Sequence, residues 1–385
     1  MKRFEELDSL RGIAALAVLF QHLVLIFPLM ETNTYNNSDM WLINLLKYTP
    51  IHIIWGGHEA VVFFFVLSGF VLSLVWYSET IQRVSYVSFI IKRTCRIYIP
   101  YLVAILVAFI ARELFAKGGI SELSGWFNSI WAEPITLKMI FDHLLLLGRL
   151  QINALNPPIW SLSEEMKISL IFPLFMFILL RFDWKISLAL GFLISCLSFR
   201  RGYYIPSGTL NYILMFIVGA LLAKYRHKLT NSVRNLSSIQ KILLSLIGII
   251  CYVYSWWPFF DVKLIHSTIV DEWFIALGVS IFITLSLSLK SVSKFLHLKP
   301  IMFLGMISYS VYLYHLVILV SLCYLFYGKI HIYIIFLMTI LITLVVASLS
   351  YYFIEKPSIR LGKVLTSKVK SPMRTSGKET PLKVK

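Results

Sequence analysis

Charged residues are scarce in this chain of 385 residues, where only 14% of the positions are Asp, Glu, Lys or Arg. A soluble domain carries about a quarter charged residues and under half apolar ones, whereas 58% of this chain is hydrophobic. The shortage of charge extends along almost the whole chain, which also excludes a soluble domain with a single anchor. The composition therefore predicts an all-α, polytopic integral membrane protein.

Cysteine is rare as well, with four residues at scattered positions and no Cys-x-x-Cys pair. This pattern does not resemble a disulfide framework or a zinc site, so we expect no metal. The net charge of +17 would indicate nucleic acid if it lay on a soluble surface. In a membrane protein the basic residues belong to the loops, and we expect no nucleic-acid partner.

Each crossing of the bilayer needs about 20 apolar residues, so the chain accommodates about ten transmembrane helices. We interpret the first as an uncleaved helix, because it is too long for a signal peptide and no cleavage site follows it. The segment 140–147 is too short to cross, and we predict a re-entrant or interfacial helix there. The predicted spans are 7–28, 58–77, 97–115, 161–180, 185–199, 208–224, 241–257, 273–289, 301–327 and 331–354.

The distribution of basic residues orients these spans. With the N-terminus in the cytoplasm, 26 of the 36 Lys and Arg residues lie on the cytoplasmic side, as the positive-inside rule requires. Both termini are therefore predicted to be cytoplasmic. We divide the chain into a transmembrane domain, 1–360, and a basic tail, 361–385, which we expect to be disordered and to lie on anionic membrane lipids.

Ionisable residues inside the spans are the candidate functional residues, since they are costly in a membrane. Arg11 and His22 lie on one face of the first helix, separated by about 16 Å along its axis. Arg93 and Arg96 share a face at the cytoplasmic boundary and have the geometry to hold phosphates. The structural alternatives are a snorkelling Arg, a hydrogen-bonded His and charges that only set the topology.

Two further residues complete the pattern. Glu165 lies near the start of the fourth span, at its predicted outer end, although helix capping would also explain acidic residues there. His315 lies in the ninth span at nearly the depth of His22. The depths therefore predict an inner basic layer for a phosphorylated ligand and an outer proton-handling layer of His22, His315 and Glu165.

Six short motifs occur in order along the chain: Leu7-Asp8-Ser9-Leu10-Arg11-Gly12 with His22, Phe64-Phe65-Val66-Leu67-Ser68-Gly69-Phe70, Arg93-x-x-Arg96, Trp160-Ser161-Leu162-Ser163 with Glu165, Ser308-Tyr309-Ser310 through His315, and Ile354-Glu355-Lys356-Pro357. In this order they resemble the bacterial membrane acyltransferase-3 family over about residues 7–360. One departure is Val62, where many members carry an acidic residue; the nearest carboxylate here is Glu59.

The resemblance implies an enzyme of the bacterial inner membrane. Such an enzyme transfers an acyl group, commonly acetyl, from acyl-CoA as donor substrate to a hydroxyl of a glycan or related acceptor, without a bound cofactor. By motif position, Arg11 and His22 fall on the Arg-x10-His element implicated in catalysis. Arg93 and Arg96 fall on the Arg-x-x-Arg element, and Glu165 on the Glu of the Trp-Ser-Leu-Ser-x-Glu element.

The residues leave two mechanisms and two functions open. We expect Arg11, Arg93 and Arg96 to hold the CoA phosphates, and His22, His315 and Glu165 to carry the chemistry. His22 acts as general base on the acceptor hydroxyl or takes the acyl group itself, and Glu165 orients an imidazole. The alternative function is a proton-coupled transporter or exporter of a glycan or small solute. Release of CoA on addition of acceptor would distinguish the two functions.

Overall fold

The computed structural model describes residues 4–31, 41–77, 85–148, 150–198, 209–256 and 268–367, which contain helices but no strand. Short 3-10 segments cover Pro50–Ile54 and Tyr254–Trp256, and a π-helical turn covers Tyr351–Glu355. In chain order the α-helices are α1 (Glu5–Leu25), α2 (Pro28–Glu31), α3 (Trp41–Tyr48), α4 (Gly57–Ser73), α5 (Tyr86–Phe115), α6 (Gly125–Ser129), α7 (Leu137–Leu145), α8 (Ile152–Leu155), α9 (Ile159–Arg181), α10 (Trp184–Leu197), α11 (Thr209–Arg234), α12 (Ser238–Val253), α13 (Thr268–Ser288), α14 (Lys290–Leu296), α15 (Lys299–Phe326), α16 (Ile332–Ser350) and α17 (Lys356–Ser367).

Every predicted span coincides with a helix, and the prediction of an all-helical, multi-pass membrane protein is confirmed. The α4 and α10 helices are apolar but shorter than 18 residues, and ten crossings with two cytoplasmic termini stay predictions. Within the described residues, six segments are long and apolar enough to cross a membrane: Glu5–Leu25, Tyr86–Phe115, Ser238–Trp256, Val270–Ser288, Lys299–Phe326 and Ile332–Ser367.

The bundle has its apolar side chains on the outside and several ionisable ones inside. Leu106 and Leu114 on α5 are 58% and 64% exposed, while Glu272 and His315 are almost completely buried. A soluble protein would have the opposite arrangement. Lipid must therefore cover the outer surface, and the buried charged groups must pair with one another.

Two pairs of helices cross so closely that their backbones are in contact. The α1 and α15 helices meet at Gly12 and Gly305, where a Cβ on either residue would lie 2.6 Å from a backbone carbon of the other helix. The α4 and α11 helices meet in the same way at Gly69 and Gly219. Small residues permit such close approach of membrane helices, and the first crossing brings the functional motifs of α1 and α15 together.

The segment that contains α7 enters the bundle and returns to its starting level. Arg112, near the end of α5, donates hydrogen bonds to the carbonyls of both Glu133 and Ala154. Between these two points the segment descends beside α5, where the Tyr101 hydroxyl donates to the His143 carbonyl at 2.8 Å. Tyr101 lies about 16 Å from Arg112 along the axis of α5. This geometry favours the re-entrant alternative for the predicted helix at 140–147.

The α9 helix begins level with the middle of α15. The Tyr312 hydroxyl donates to the Pro158 carbonyl at 2.9 Å, and the Asn156 amide donates to the Leu313 carbonyl at the same distance. The short stretch before α9 therefore connects the re-entrant segment to the interior of the bundle. As a result, the first two turns of α9 lie deeper than their place in the sequence indicates.

The C-terminal end of the described chain is helical. The α17 helix follows the π-helical turn and packs against α5, where a Cβ on Gly362 would lie 3.1 Å from the Cβ of Cys95. Residues 368–385 of the predicted tail lie outside the described residues. The division of the chain near residue 360 stays a prediction.

Candidate active site

The imidazole rings of His22 and His315 are in direct contact. The crossing of α1 and α15 places the Nδ1 atom of His22 2.9 Å from the Nε2 atom of His315, with 4.9 Å between the ring centroids. The expectation that both residues lie at one depth agrees with this geometry. Each ring also has a carbonyl one turn earlier in its own helix within reach of Nδ1, Val18 at 2.9 Å and Val311 at 3.0 Å.

These contacts determine which nitrogen of each neutral ring carries the proton. A carbonyl can only accept, so His315 donates from Nδ1 to Val311, and its Nε2 atom is left as an acceptor. The proton of His22 then lies on Nδ1, where Val18 and His315 both accept it. The Nε2 atom of His22 therefore keeps its lone pair, which is what a base or a nucleophile requires.

His22 lines a cavity of about 260 Å³ that we call the outer cavity, after its side in the predicted orientation. The indole of Trp126 stacks on the His22 ring with 5.3 Å between centroids. The other walls combine amide, imidazole and aromatic side chains, a combination suited to a polar ligand with apolar faces. The lining includes Gln21, His58, Trp126, Asn153, Trp160 and Tyr312.

Glu165 forms a partly buried ion pair with Arg93 across the α5–α9 interface. Their side chains are 17% and 10% exposed, respectively. The same carboxylate oxygen accepts a hydrogen bond from the Ser68 hydroxyl at 2.5 Å. Arg93 also donates from Nε to the Ser169 hydroxyl at 3.0 Å. The hydrogen bonds compensate part of the cost of burying both charges and fix the guanidinium on the wall of a cavity.

This placement corrects the predicted position of Glu165 in the imidazole layer. We expected its carboxylate at the outer end of a span, beside His22 and His315, but it lies in the basic layer. The physical reason is the depth at which α9 begins. Because Ile159 is already level with the middle of α15, six further residues carry Glu165 about 9 Å towards the opposite end of the bundle.

The predicted cations Arg11 and Arg96 line a large cavity of about 470 Å³, which we call the inner cavity. Arg11 is paired with Asp8 at 3.2 Å. Arg96 has no hydrogen-bond or ion-pair partner among the described residues, so its charge is available to an anion in the cavity. Three cations on α17, which sequence reasoning missed, complete the lining: Lys356, Arg360 and Lys363.

The three α17 cations recur at positions that bring them to one face of the helix. Their spacing is visible in the sequence, but the predicted boundary at residue 360 divides the three cations between the transmembrane domain and the tail. Glu355, which accepts from the Ser310 hydroxyl at 3.1 Å, adds one acid to the same cavity. With five basic side chains against the acids of Asp8 and Glu355, the inner cavity is suited to a multiply charged anion.

A narrow cavity of about 80 Å³, the middle cavity, lies between the inner and outer ones. It shares Arg11, Arg96 and Tyr309 with the inner cavity and Tyr312 with the outer cavity. The Tyr312 ring lies 6.0 Å from the His315 ring. The three cavities therefore form a series that runs from the cation-lined end of the bundle to the imidazole pair.

The departure at Val62 is not compensated by Glu59. Glu59 lies 3.5 Å from the Nε2 atom of His52 and accepts from the Trp256 indole at 2.9 Å. His52 and Glu59 are both buried, and neither lines the three cavities. Glu59 therefore lies in a buried contact with His52 and Trp256, outside the three cavities.

The chain matches a known protein family over most of its length. The family model described as an acyltransferase domain, Acyl_transf_3, matches residues 4–354. The chain therefore belongs to the acyltransferase-3 family, and the resemblance drawn from the motifs is confirmed. No solved structure matches the chain.

The curated relatives are acetyltransferases. The O-acetyltransferase OatA of Staphylococcus aureus (strain NCTC 8325 / PS 47) is 25% identical, over 92% of this chain and 57% of the relative. OatA of strain COL has the same identity and coverage. The chain thus spans a little over half the length of these relatives.

Proposed function

We propose that this chain is an O-acyltransferase that moves an acetyl group from cytoplasmic acyl-CoA to a hydroxyl of a cell-surface glycan. The single observation that carries the proposal is the position of the His22–His315 pair. His22 lines the outer cavity, which shares Tyr312 with the middle cavity, and the middle cavity in turn shares Arg11 and Arg96 with the cation-lined inner cavity. Membership of the acyltransferase-3 family supports acyl transfer as the chemistry.

The inner cavity is the proposed site for the CoA phosphates. Arg96 supplies an unneutralised guanidinium, which can bind phosphate oxygens bidentately. Lys356, Arg360 and Lys363 supply further positive charge from α17. With the phosphates held there, the pantetheine arm extends into the middle cavity and presents the thioester to His22.

The first step follows from the protonation of the two rings. The Nε2 atom of His22 attacks the thioester carbonyl carbon, the C–S bond breaks and CoA leaves as the thiolate. The Nδ1 proton of His22 passes to the Nε2 atom of His315, 2.9 Å away, which leaves a neutral acyl-imidazole beside an imidazolium. The geometry favours this acyl-histidine mechanism over direct transfer, because the donor and acceptor enter from opposite sides.

The acceptor occupies the outer cavity. The second step forms an ester between its hydroxyl and the acyl carbon and breaks the bond to His22. His22 then recovers its Nδ1 proton from His315. The amides of Gln21 and Asn153 offer hydrogen bonds to hydroxyl groups, and the flat faces of Trp126 and Trp160 offer apolar surface, as a sugar acceptor requires.

The test uses purified protein in nanodiscs with radiolabelled acetyl-CoA and mixed cell-envelope glycans as acceptors. Wild type should release CoA and label the glycan. In the His22→Ala variant, the rates of both reactions should fall at least ~10²-fold. The variant should still insert into the membrane and elute at the same volume as wild type. If folded wild type released no CoA with any of several acyl-CoAs and acceptors, the alternative of a proton-coupled carrier would be favoured.

A further inference from the structure

A second imidazole lines the outer cavity, and its surroundings resemble those of an acid–base group. His58 lies on the first turn of α4, with its side chain 37% exposed. Its Nε2 atom is 3.3 Å from the Glu272 carboxylate on α13, which is 1% exposed. One nitrogen of this imidazole contacts a buried carboxylate, and the side chain remains accessible. This is the arrangement of a general base.

The Glu272 carboxylate is held in place by two donors from α11. The Tyr212 hydroxyl donates to Oε1 at 3.0 Å, and the Asn211 amide donates to Oε2. With both oxygens occupied, the carboxylate has little freedom to turn away from His58. The Nε2 proton of His58 therefore faces Glu272, and Nδ1 is left with the lone pair.

His58 and His22 lie on neighbouring walls of one cavity. Both line the outer cavity of about 260 Å³. The residues that precede them along the chain, Gly57 and Gln21, are in contact, since a Cβ on Gly57 would lie 2.7 Å from Cδ of Gln21. An acceptor in this cavity thus has the acyl carrier on one side and a second imidazole on another.

We propose that His58, oriented by Glu272, is the general base that removes the proton of the acceptor hydroxyl. This inference rests on the proposed function and assigns its acceptor side. As the acceptor oxygen bonds to the acyl carbon, its proton passes to the Nδ1 atom of His58. The bond from that carbon to the Nε2 atom of His22 breaks, and its electron pair stays on His22. His58 then gives the proton to water in the outer cavity.

The assignment separates the two half-reactions, because His58 takes no part in the first. Acetylation of the protein is measured as CoA released in the first turnover, and transfer as label on mixed cell-envelope glycans. In His58→Ala, acetylation of the protein should proceed at the wild-type rate. The rate of transfer to the glycan should fall ~10²–10⁴-fold. Added imidazole should restore part of the transfer, since the vacated site opens to the cavity.

His52→Ala is the matched control. His52 is also paired with a buried carboxylate at this end of the bundle, but it lies outside the cavity. Any loss of transfer in this variant arises from the fold or from the freed charge of Glu59, and added imidazole should not reverse it because His52 is buried outside the cavity. An equal rescue of both variants would contradict the assignment.

Two outcomes overturn different claims. If wild type releases no CoA, the proposed function fails. If wild type transfers acetyl groups and His58→Ala transfers them equally fast, only the role of His58 fails.

Discussion

His22 and His315 make the same kind of backbone contact but have different chemical capacities. Each ring donates from Nδ1 towards the carbonyl four residues earlier, Val18 or Val311. His315 presents its lone pair to His22, whereas His22 presents its own lone pair away from His315. In the proposed mechanism, His22 is therefore the nucleophile and His315 the acceptor of its proton. Periodicity predicted that the rings share a depth, but only the contact between the helices distinguishes the two rings.

At the same scale, Arg96→Ala should weaken binding of the donor. Its guanidinium lines the inner and middle cavities without a hydrogen-bond or ion-pair partner among the described residues, so its loss removes an anion contact and breaks no ion pair. The apparent KM for acetyl-CoA should rise ~10-fold, in line with a charged hydrogen bond of about 1.5–3 kcal/mol, while kcat changes little. The control is Arg181→Ala at an exposed position of α9. An unchanged KM would remove Arg96 from the donor site.

Glu165→Gln should act mainly on stability. The substitution leaves the Arg93 guanidinium, which is 10% exposed, without its counter-charge, and breaking a buried pair costs about 3–5 kcal/mol. The apparent melting temperature in detergent should fall clearly below that of wild type. Glu122→Gln, the same exchange at an exposed position, should leave it nearly unchanged. Equal melting temperatures for the two variants would contradict a stabilising Arg93–Glu165 pair.

At the scale of elements, hydropathy predicted that the helices exist but misjudged where some of them begin. The α5 helix begins at Tyr86, eleven residues before the predicted span at 97. The basic residues Lys92, Arg93 and Arg96 interrupt the apolar run, but a helix needs only its backbone hydrogen bonds and continues through them. Hydropathy therefore detected the apolar part of each helix and not its ends.

The α1–α15 crossing makes an element-scale prediction. Gly305→Val would place side-chain atoms where the Asp8 backbone lies, so the helices must separate. Overpacking of this kind costs about 1–3 kcal/mol, and the shift would also break the 2.9 Å contact between His22 and His315. First-turnover CoA release should fall at least ~10-fold. Phe303→Val, which adds the same residue type at an outward position of α15, should have little effect.

At the scale of the whole molecule, the predicted orientation can be measured by labelling. In a Cys196→Ser background, which removes the exposed native thiol, a cysteine replaces Lys117 or Ser237. Both positions are exposed and lie on opposite predicted sides. An impermeant maleimide should label Lys117→Cys in intact spheroplasts and Ser237→Cys only after permeabilisation. The reverse pattern would invert the topology and place the inner cavity outside the cell.

The sequence alone was enough to establish the membrane class, the all-helical fold and the family, and it singled out Arg11 and His22 on α1 as candidate functional residues. The membrane class and the fold follow from composition and hydropathy, the family from six short motifs, and the two candidates from periodicity along a single helix, all of which are local properties. The same information placed His315 at the depth of His22, since both depths were counted along uninterrupted helices.

Which ionisable groups meet depends on how the helices pack against one another. Glu165 pairs with Arg93 because α9 begins deep in the bundle. Neither the cations of α17 nor the His58–Glu272 pair could be assigned before the helices were placed side by side. Such contacts depend on the relative depth and rotation of helices distant in sequence. Backbone packing at small residues and buried ion pairs determine this depth and rotation. The hydropathy of the sequence does not predict either of them.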